Sequence, residues 1–373
     1  MSHDATARDP RHETAQQLYD SAAEAWERLD YETAERGWQG AADHFGLAGA
    51  EERAADSARN LGLVYRATGR FPEAEDTLTQ ALGYFQAHDM PDRAATTMAN
   101  LGNVYLATGR HTLAERAFGS AREYFRRHGL DHQVAACTEH LGAVYLATGR
   151  TEDAADAIAQ ALDYYRNHEL NHEAAQTTMK LGEIHVTAGR YEVADQLLDQ
   201  ARAYFRLHEL NHQAAHCTTA LARSAWETGR FDAAEEAYLE ARTYYLANDL
   251  HRAAADCSTN LAGVLRDAGR DADAEVTYRD AAAYYELFDI DGPALECTIG
   301  LATIYARTER VEEAESTYLR ARDRAAHLGL RRQAADCSVA LADLCASAGR
   351  EEESQRHMAD ARANYDLMGS REL

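Results

Sequence analysis

LGNVYLATGR at residues 101–110 returns as LGAVYLATGR at 141–150 and as LGLVYRATGR at 61–70. The closing Gly-Arg marks the spacing most clearly. It stands at 69–70, 109–110, 149–150, 189–190, 229–230, 269–270 and 349–350, and Glu309-Arg310 keeps the same register. No insertion or deletion interrupts this period of 40 residues. Most of the chain is therefore one supersecondary unit copied in tandem. Stacked units of this kind bury a shared core and expose an extended surface, which favours binding over catalysis.

Each copy has two halves with helical patterning. In the first, Leu61, Gly62 and Tyr65 recur as Leu101, Gly102 and Tyr105 and as Leu141, Gly142 and Tyr145. These offsets follow the helical period, and the glycine after the last periodic residue is a helix stop. In the second half, alanine holds positions 34, 74, 114, 154, 194, 234, 274 and 314. A second alanine column runs unbroken through 41, 81, 121, 161, 201, 241, 281, 321 and 361. Between the two columns sits a large residue: Trp38, Leu78, Phe118, Ile158, Leu198, Tyr238, Tyr278 or Tyr318. Alanine at a fixed seam lets two helices approach while the large neighbour fills the groove.

This pattern resembles the tetratricopeptide repeat (TPR): Leu-Gly-x-x-Tyr on helix A, a glycine, an aromatic such as Phe71, Tyr191 or Phe231, and two alanines on helix B. The usual unit is about 34 residues. The longer unit here is similar to the arrays of kinesin light chains and bacterial signalling ATPases. HEAT and armadillo repeats have a similar length but lack this motif. The resemblance covers residues 12–367 and implies an all-α fold, a right-handed α-solenoid of about nine helix-turn-helix repeats in one domain. A disordered tail is expected at 1–11 and a short tail at 368–373. The end repeats are degenerate. Ser21, Ala22 and Ala25 stand where Leu, Gly and Tyr would fall, Glu351 replaces the aromatic, and Asn364 replaces the tyrosine of Tyr84, Tyr124 and Tyr164. Polar ends are what capping requires, so a monomer is expected, with a weak dimer as the alternative.

The net charge of -24 over 373 residues argues against nucleic acid as a partner, since phosphate binding needs a basic face. It suits solubility and a basic partner. Lys180 is the only lysine, and with abundant Ala, Gly and Asp this points to a high-GC bacterial genome or a halophile. No apolar run is long enough to span a bilayer, and the opening MSHDATARDPRHE is too polar for a signal peptide. A cytoplasmic protein with no membrane partner is expected. Cys137, Cys217, Cys257, Cys297 and Cys337 share one repeat position with Ser57, Thr97 and Thr177. Disulfide partners need alpha-carbons within about 7 Å, and Cys345 lies about 12 Å from Cys337 along one helix. The column calls for a small buried side chain, which reduced cysteine supplies.

His168-Glu169-Leu170-Asn171-His172 reads H-E-x-x-H, and 208–212 repeats it. That spacing makes a zinc site only where one continuous helix presents both histidines. Here the repeat register puts His168 and His208 at the end of helix B, Leu170 and Leu210 in the turn, and Asn171 and Asn211 as caps of the next helix A. The sister segments His128-Gly129-Leu130-Asp131-His132 and His88-Asp89-Met90-Pro91-Asp92 keep the first histidine and lose the glutamate. This is turn chemistry, and no metal or cofactor is expected. His212 with His216, and Cys137 with His140, also have metal-capable spacings. Helix-end solvation and core packing are their plainer readings.

The resemblance implies that helix A lines a concave groove. The candidate binding residues there are Asn60, Asn100, Asn103, His140, Lys180, His185, His216, Arg223, Trp226, Asn260 and Arg266. Asparagine both donates and accepts, so Asn60, Asn100, Asn103 and Asn260 suit gripping the amides of an extended peptide. The carboxylate-clamp pattern is not met. Asn103 and Lys180 match it, but Ala99, His140 and Gln176 stand where a base, an asparagine and a lysine belong. The helix A tyrosine becomes His185, Ala225 and Leu265 in three consecutive repeats, close to His216, Arg223, Ser224 and Trp226. A pocket over residues 179–266 is expected, with Trp226 as aromatic anchor and Arg223 or Arg266 meeting an anion; drift in a tolerant repeat is the plainer account.

The leading reading is a scaffold or regulatory adaptor that holds a protein or peptide segment. The alternative is an enzyme or small-molecule sensor in the middle repeats, with His140, His185 or His216 as acid or base. No phosphate loop, nucleophile elbow or dense Cys/His cluster promotes it, so no catalytic residue is named.

Overall fold

The computed structural model describes residues 10–369, which form 18 α-helices and no strand. The chain divides into two compact units, one up to Ile184 and one from His185. The first holds α1 (Pro10–Glu27), α2 (Tyr31–Leu47), α3 (Glu51–Ala67), α4 (Phe71–Ala87), α5 (Pro91–Ala107), α6 (His111–Arg127), α7 (Asp131–Ala147), α8 (Thr151–Asn167) and most of α9 (Asn171–Thr187). The second continues with α10 (Tyr191–Leu207), α11 (Asn211–Glu227), α12 (Phe231–Ala247), α13 (His251–Asp267), α14 (Asp271–Leu287), α15 (Asp291–Arg307), α16 (Val311–His327), α17 (Arg331–Ser347) and α18 (Glu351–Gly369). Within each unit, helices adjacent in sequence pack on one another, as in the all-α solenoid of TPR-like pairs expected from the sequence. Helix α1 starts at Pro10, inside the stretch expected as a tail; residues 1–9 and 370–373 lie outside the described residues. No described helix is long and apolar enough to cross a membrane.

The turns explain the regularity. Helices of 17 residues alternate with turns of three. The second turn residue is left-handed, as at Gly69 (φ 76°) and Gly109 (φ 71°). The third returns its N–H to the carbonyl five residues back, Arg70 to Tyr65 at 2.8 Å and Leu130 to Phe125 at 3.0 Å. This is the Schellman closure, which satisfies carbonyls left open at a helix end. Asp89, Glu169, Glu209, Asp249, Asp289 and Glu309 take the same conformation without glycine, at φ 53–59°. The turn thus recurs between all successive helices, more than twice as often as the Gly-Arg pair. It also corrects the expected capping. Leu210 is the N-cap of α11 and has no side-chain cap bond, while Asn211 is already inside the helix; α9 likewise begins at Asn171. The closure fixes the cap one residue earlier than side-chain chemistry suggests.

Two contacts tie the helices together. On helix A, Gly62, Gly102 and Gly142 face Leu78, Phe118 and Ile158 so closely that a Cβ would lie 2.7–2.8 Å from those side chains. Between repeats, the arginine that ends the A-to-B turn reaches the preceding helix B in most copies. Arg70 meets Glu35 at 2.8 Å, Arg110 meets Glu75 at 2.7 Å, Arg150 meets Glu115 at 2.7 Å, Arg230 meets Asp195 at 2.7 Å, Arg270 meets Glu235 at 2.6 Å and Arg350 meets Glu315 at 2.6 Å. In four repeats the guanidinium also covers the helix A tyrosine, 4.2–4.8 Å from the ring centroid. An exposed pair alone would be worth little; stacking adds a cation–π term and places the arginine. The six cysteines are all buried and none is in a disulfide, in keeping with a packing role.

The two kinds of glycine should respond oppositely to substitution. Gly102→Val, pressed against Phe118, should cost about 1–3 kcal/mol in urea unfolding. Gly83→Ala in α4, where a Cβ meets nothing within 4 Å, should stabilise by about 0.5–1 kcal/mol. Glu169→Gly should also stabilise, by about 1 kcal/mol, because glycine takes the left-handed turn without a steric penalty; a loss of stability would contradict the turn account.

Candidate functional site

Consecutive A helices touch one another directly, α3 with α5, α5 with α7, α11 with α13 and α13 with α15. Helix A therefore forms the tighter side of each stack. The candidate residues lie on it, Lys180, His216 and Arg223 exposed and the others half-buried.

In the first unit the asparagines differ in how far they are committed. Asn60 on α3 donates to the Tyr19 hydroxyl at 2.9 Å. Asn103 on α5 spends one amide hydrogen on its own helix, at the Ala99 carbonyl, 3.3 Å away. Asn100 is half-buried a turn before it. On α7, His140 stacks on Phe118, with ring centroids 5.0 Å apart and planes inclined by 16°. Beside it Glu139 takes an ion pair from Lys180 of α9 and a hydrogen bond from the Tyr165 hydroxyl at 3.2 Å. Burial lowers the basicity of His140, Glu139 opposes that, and Lys180 and Arg66 reinforce it. Burial likewise lowers that of Arg66.

In the second unit the expected aromatic anchor is already engaged within the chain. The Trp226 ring lies over Gly263 of α13, where a Cβ would come within 2.5 Å of it. Its Nε1–H is donated to Asp267 at 2.9 Å. Arg266 donates to the other oxygen of Asp267 at 2.8 Å. Burial pushes the Asp267 carboxyl up, yet the bonds from Arg266 and Trp226 and the charges of Arg266 and Arg307 outweigh it and leave it below its usual value. Trp226 and Arg266 thus share one carboxylate rather than present free groups. His216 and Arg223 are exposed, and His185 and Asn260 half-buried. Gly263 and Asp267 went unmarked in the sequence, although glycine stands where sister repeats carry Asn103 and Arg223.

A family model for the MalT-like TPR region matches residues 58–261. The chain belongs to the MalT-like TPR family. A search of curated proteins found no match. Among solved structures, the TPR chain is similar to BtubC (BKLC) from P. vanneervenii, at 18% identity and a TM-score of 0.52 over 59% of this chain and 92% of that one. It is similar to aspartyl phosphate phosphatase F from Bacillus subtilis, at 12% identity and a TM-score of 0.61 over 87% and 96%. It is also similar to the Rap conjugation gene regulator of plasmid pLS20 in complex with the Phr* peptide, at 14% identity and a TM-score of 0.54 over 97% and 96%. At these identities the likeness is one of fold.

TPR register also accounts for the H-E-x-x-H segments. His168 follows the last residue of α8, stacks on Tyr164 at 4.1 Å and donates Nδ1–H to the Tyr164 carbonyl at 2.9 Å. His88 and His128 do the same to Tyr84 and Tyr124. The left-handed Glu169 separates His168 from His172, so the two do not share a helix. Among the described residues one trio, Glu315, Cys345 and Glu353, has metal-ligand spacing, and Arg350 already pairs with both glutamates.

His140 in this TPR chain gives stability a pH dependence of defined sign. Its folded pKa lies below the free imidazole value of about 6.5, so the unfolded chain takes up the proton first as the pH falls. The contribution of neutral His140 is complete above about pH 6.5 and is lost as the pH drops through the folded value. The stability gap between wild type and His140→Gln should therefore narrow from pH 7.5 to pH 5.0 in urea titrations. A gap independent of pH would contradict this.

Proposed function

We propose that this TPR chain is a scaffold or regulatory adaptor that binds an extended peptide segment of a partner along helix A of the first unit. The observation that carries the reading is the pair Asn100 and Asn103 on α5. Both stand half-buried on the tighter side of the stack, and Asn103 keeps its carbonyl oxygen and one amide hydrogen for a partner. A peptide main chain offers the matching acceptor and donor at each residue. Arg66 before them, and His140 and the Glu139–Lys180 pair after them, would select side chains and charge. The structurally similar Rap regulator held with the Phr* peptide supports this reading at the level of architecture. In the second unit Trp226 and Arg266 are both tied to Asp267, which leaves the first unit as the one whose asparagine amides are offered to a partner. A net charge of -24 goes with a protein rather than nucleic-acid partner, and a cytoplasmic setting is part of the same reading.

The test is selection of binders from a random peptide library on the full chain, followed by Kd measurement against Asn100→Ala/Asn103→Ala. The double variant should unfold at the same urea concentration as wild type. Its Kd should rise roughly thirtyfold, since the bound main chain is left with unmet hydrogen bonds. Unchanged affinity for every selected peptide would refute the assignment.

A further inference from the structure

In four repeats the turn arginine rests on the helix A tyrosine: Arg70 on Tyr65 at 4.3 Å, Arg110 on Tyr105 at 4.8 Å, and Arg150 on Tyr145 and Arg310 on Tyr305 at 4.2 Å. In the repeat that ends α11 the tyrosine position holds Ala225. Arg230 keeps its bridge to Asp195 at 2.7 Å and its bond to the Thr228 hydroxyl at 2.8 Å, but alanine offers it no ring. A second partner is gone as well. Arg70, Arg270, Arg310 and Arg350 each pair with a carboxylate three residues on, and at 233 that residue is alanine.

The missing ring leaves space. A recess of about 310 Å³ opens between α10 and α12, with Leu221 and Ala225 of α11 at its base and Asp195 and Arg230 in its wall. The corresponding clefts between α2 and α4 and between α12 and α14 are not lined by their arginine–carboxylate pairs; the residues at the position of Ala225 are there Tyr65 and Leu265. Asp195, one of the residues lining the recess, has an unmet demand. Asp195 Oδ1 is buried and has no hydrogen-bond partner, which is unusual for a carboxylate oxygen out of solvent. A guanidinium face without its ring, an apolar floor and an orphaned acceptor define one complementary shape.

We propose that this recess binds a phenolic ring, carried by a free small phenol or by a tyrosine side chain of a peptide, which stacks beneath Arg230 and donates its hydroxyl to Asp195. The ring takes the place of the tyrosine that the chain lacks there. Small apolar spaces left by a missing side chain accept aromatic molecules of matching size, and a guanidinium over a ring adds attraction that grows as water is excluded. The rim sets a charge preference. Asp199 pairs with Arg202 and Glu240 with Arg206, which leaves Glu236 on the wall to favour a cationic substituent over an anionic one. The site lies on the helix B side and does not depend on peptide binding along helix A.

The test is titration of the full chain with p-cresol, followed by the ligand methyl signal in NMR. One saturable equivalent per chain is expected, with tyramine binding more tightly and 4-hydroxybenzoate more weakly. Ala225→Tyr should abolish binding and raise Tm, since it restores the ring found in the sister repeats. Arg230→Gln should weaken binding about threefold to tenfold with helical circular dichroism unchanged. A comparison of p-cresol with the peptide acetyl-Gly-Tyr-Gly-amide separates the sources: tighter peptide binding identifies a presented tyrosine, and equal or weaker binding a free phenol. Absence of saturable p-cresol binding, or binding equal in wild type and Ala225→Tyr, overturns the proposal.

Discussion

Each turn in this chain closes through a main-chain hydrogen bond that requires a left-handed second residue. The rest of the structure depends on that closure. It ends each helix from α2 to α17 at the same length, so each side-chain column returns to the same face without drift. The Gly62, Gly102 and Gly142 contacts can work only if successive copies arrive in register. The arginine that donates the closing N–H at Arg70, Arg110 and Arg150 is also the one that bridges to the previous repeat. One turn therefore sets both the length of a helix and its hold on a neighbour.

The fold was legible because the period is long, unbroken and repeated. What escaped the sequence reading has a physical cause in each case. Asp89, Glu169 and Glu209 form the same turn as Gly69, but no glycine announces it, so at these places the histidines and asparagines are what the sequence displays. The caps were misplaced at Asn211 because main-chain closure, not a side-chain oxygen, decides where that helix starts.

The repeat register is enough to assign the candidate residues to helix A, but not to give their contacts. Asn100, Asn103, His140 and Lys180 fall where the register puts them. Trp226 was visible as an aromatic, but its seat on Gly263 and its bond to Asp267 join helices two apart in sequence, which spacing along one helix does not reveal. The lost tyrosines at 185, 225 and 265 were also plain, yet their effects differ. Leu265 refills its site, whereas Ala225 leaves a recess. Only the size of the replacing side chain and the arginine above it separate the two.

The cysteine column gives the chain a set of internal reporters. Cys217, Cys257, Cys297 and Cys337 lie one repeat apart in the second unit, each buried and in no disulfide. Burial pushes the thiols of Cys137, Cys257, Cys297 and Cys337 up to about 11, so at neutral pH they are both hidden and protonated. A thiolate forms, and an alkylating reagent reacts, only when the surrounding repeat opens. In a stack whose stability is a sum of local and nearest-neighbour terms, the labelling rate of each thiol measures the opening of its own repeat. The unmodified sequence thus carries a gauge of where along the second unit the structure first comes apart.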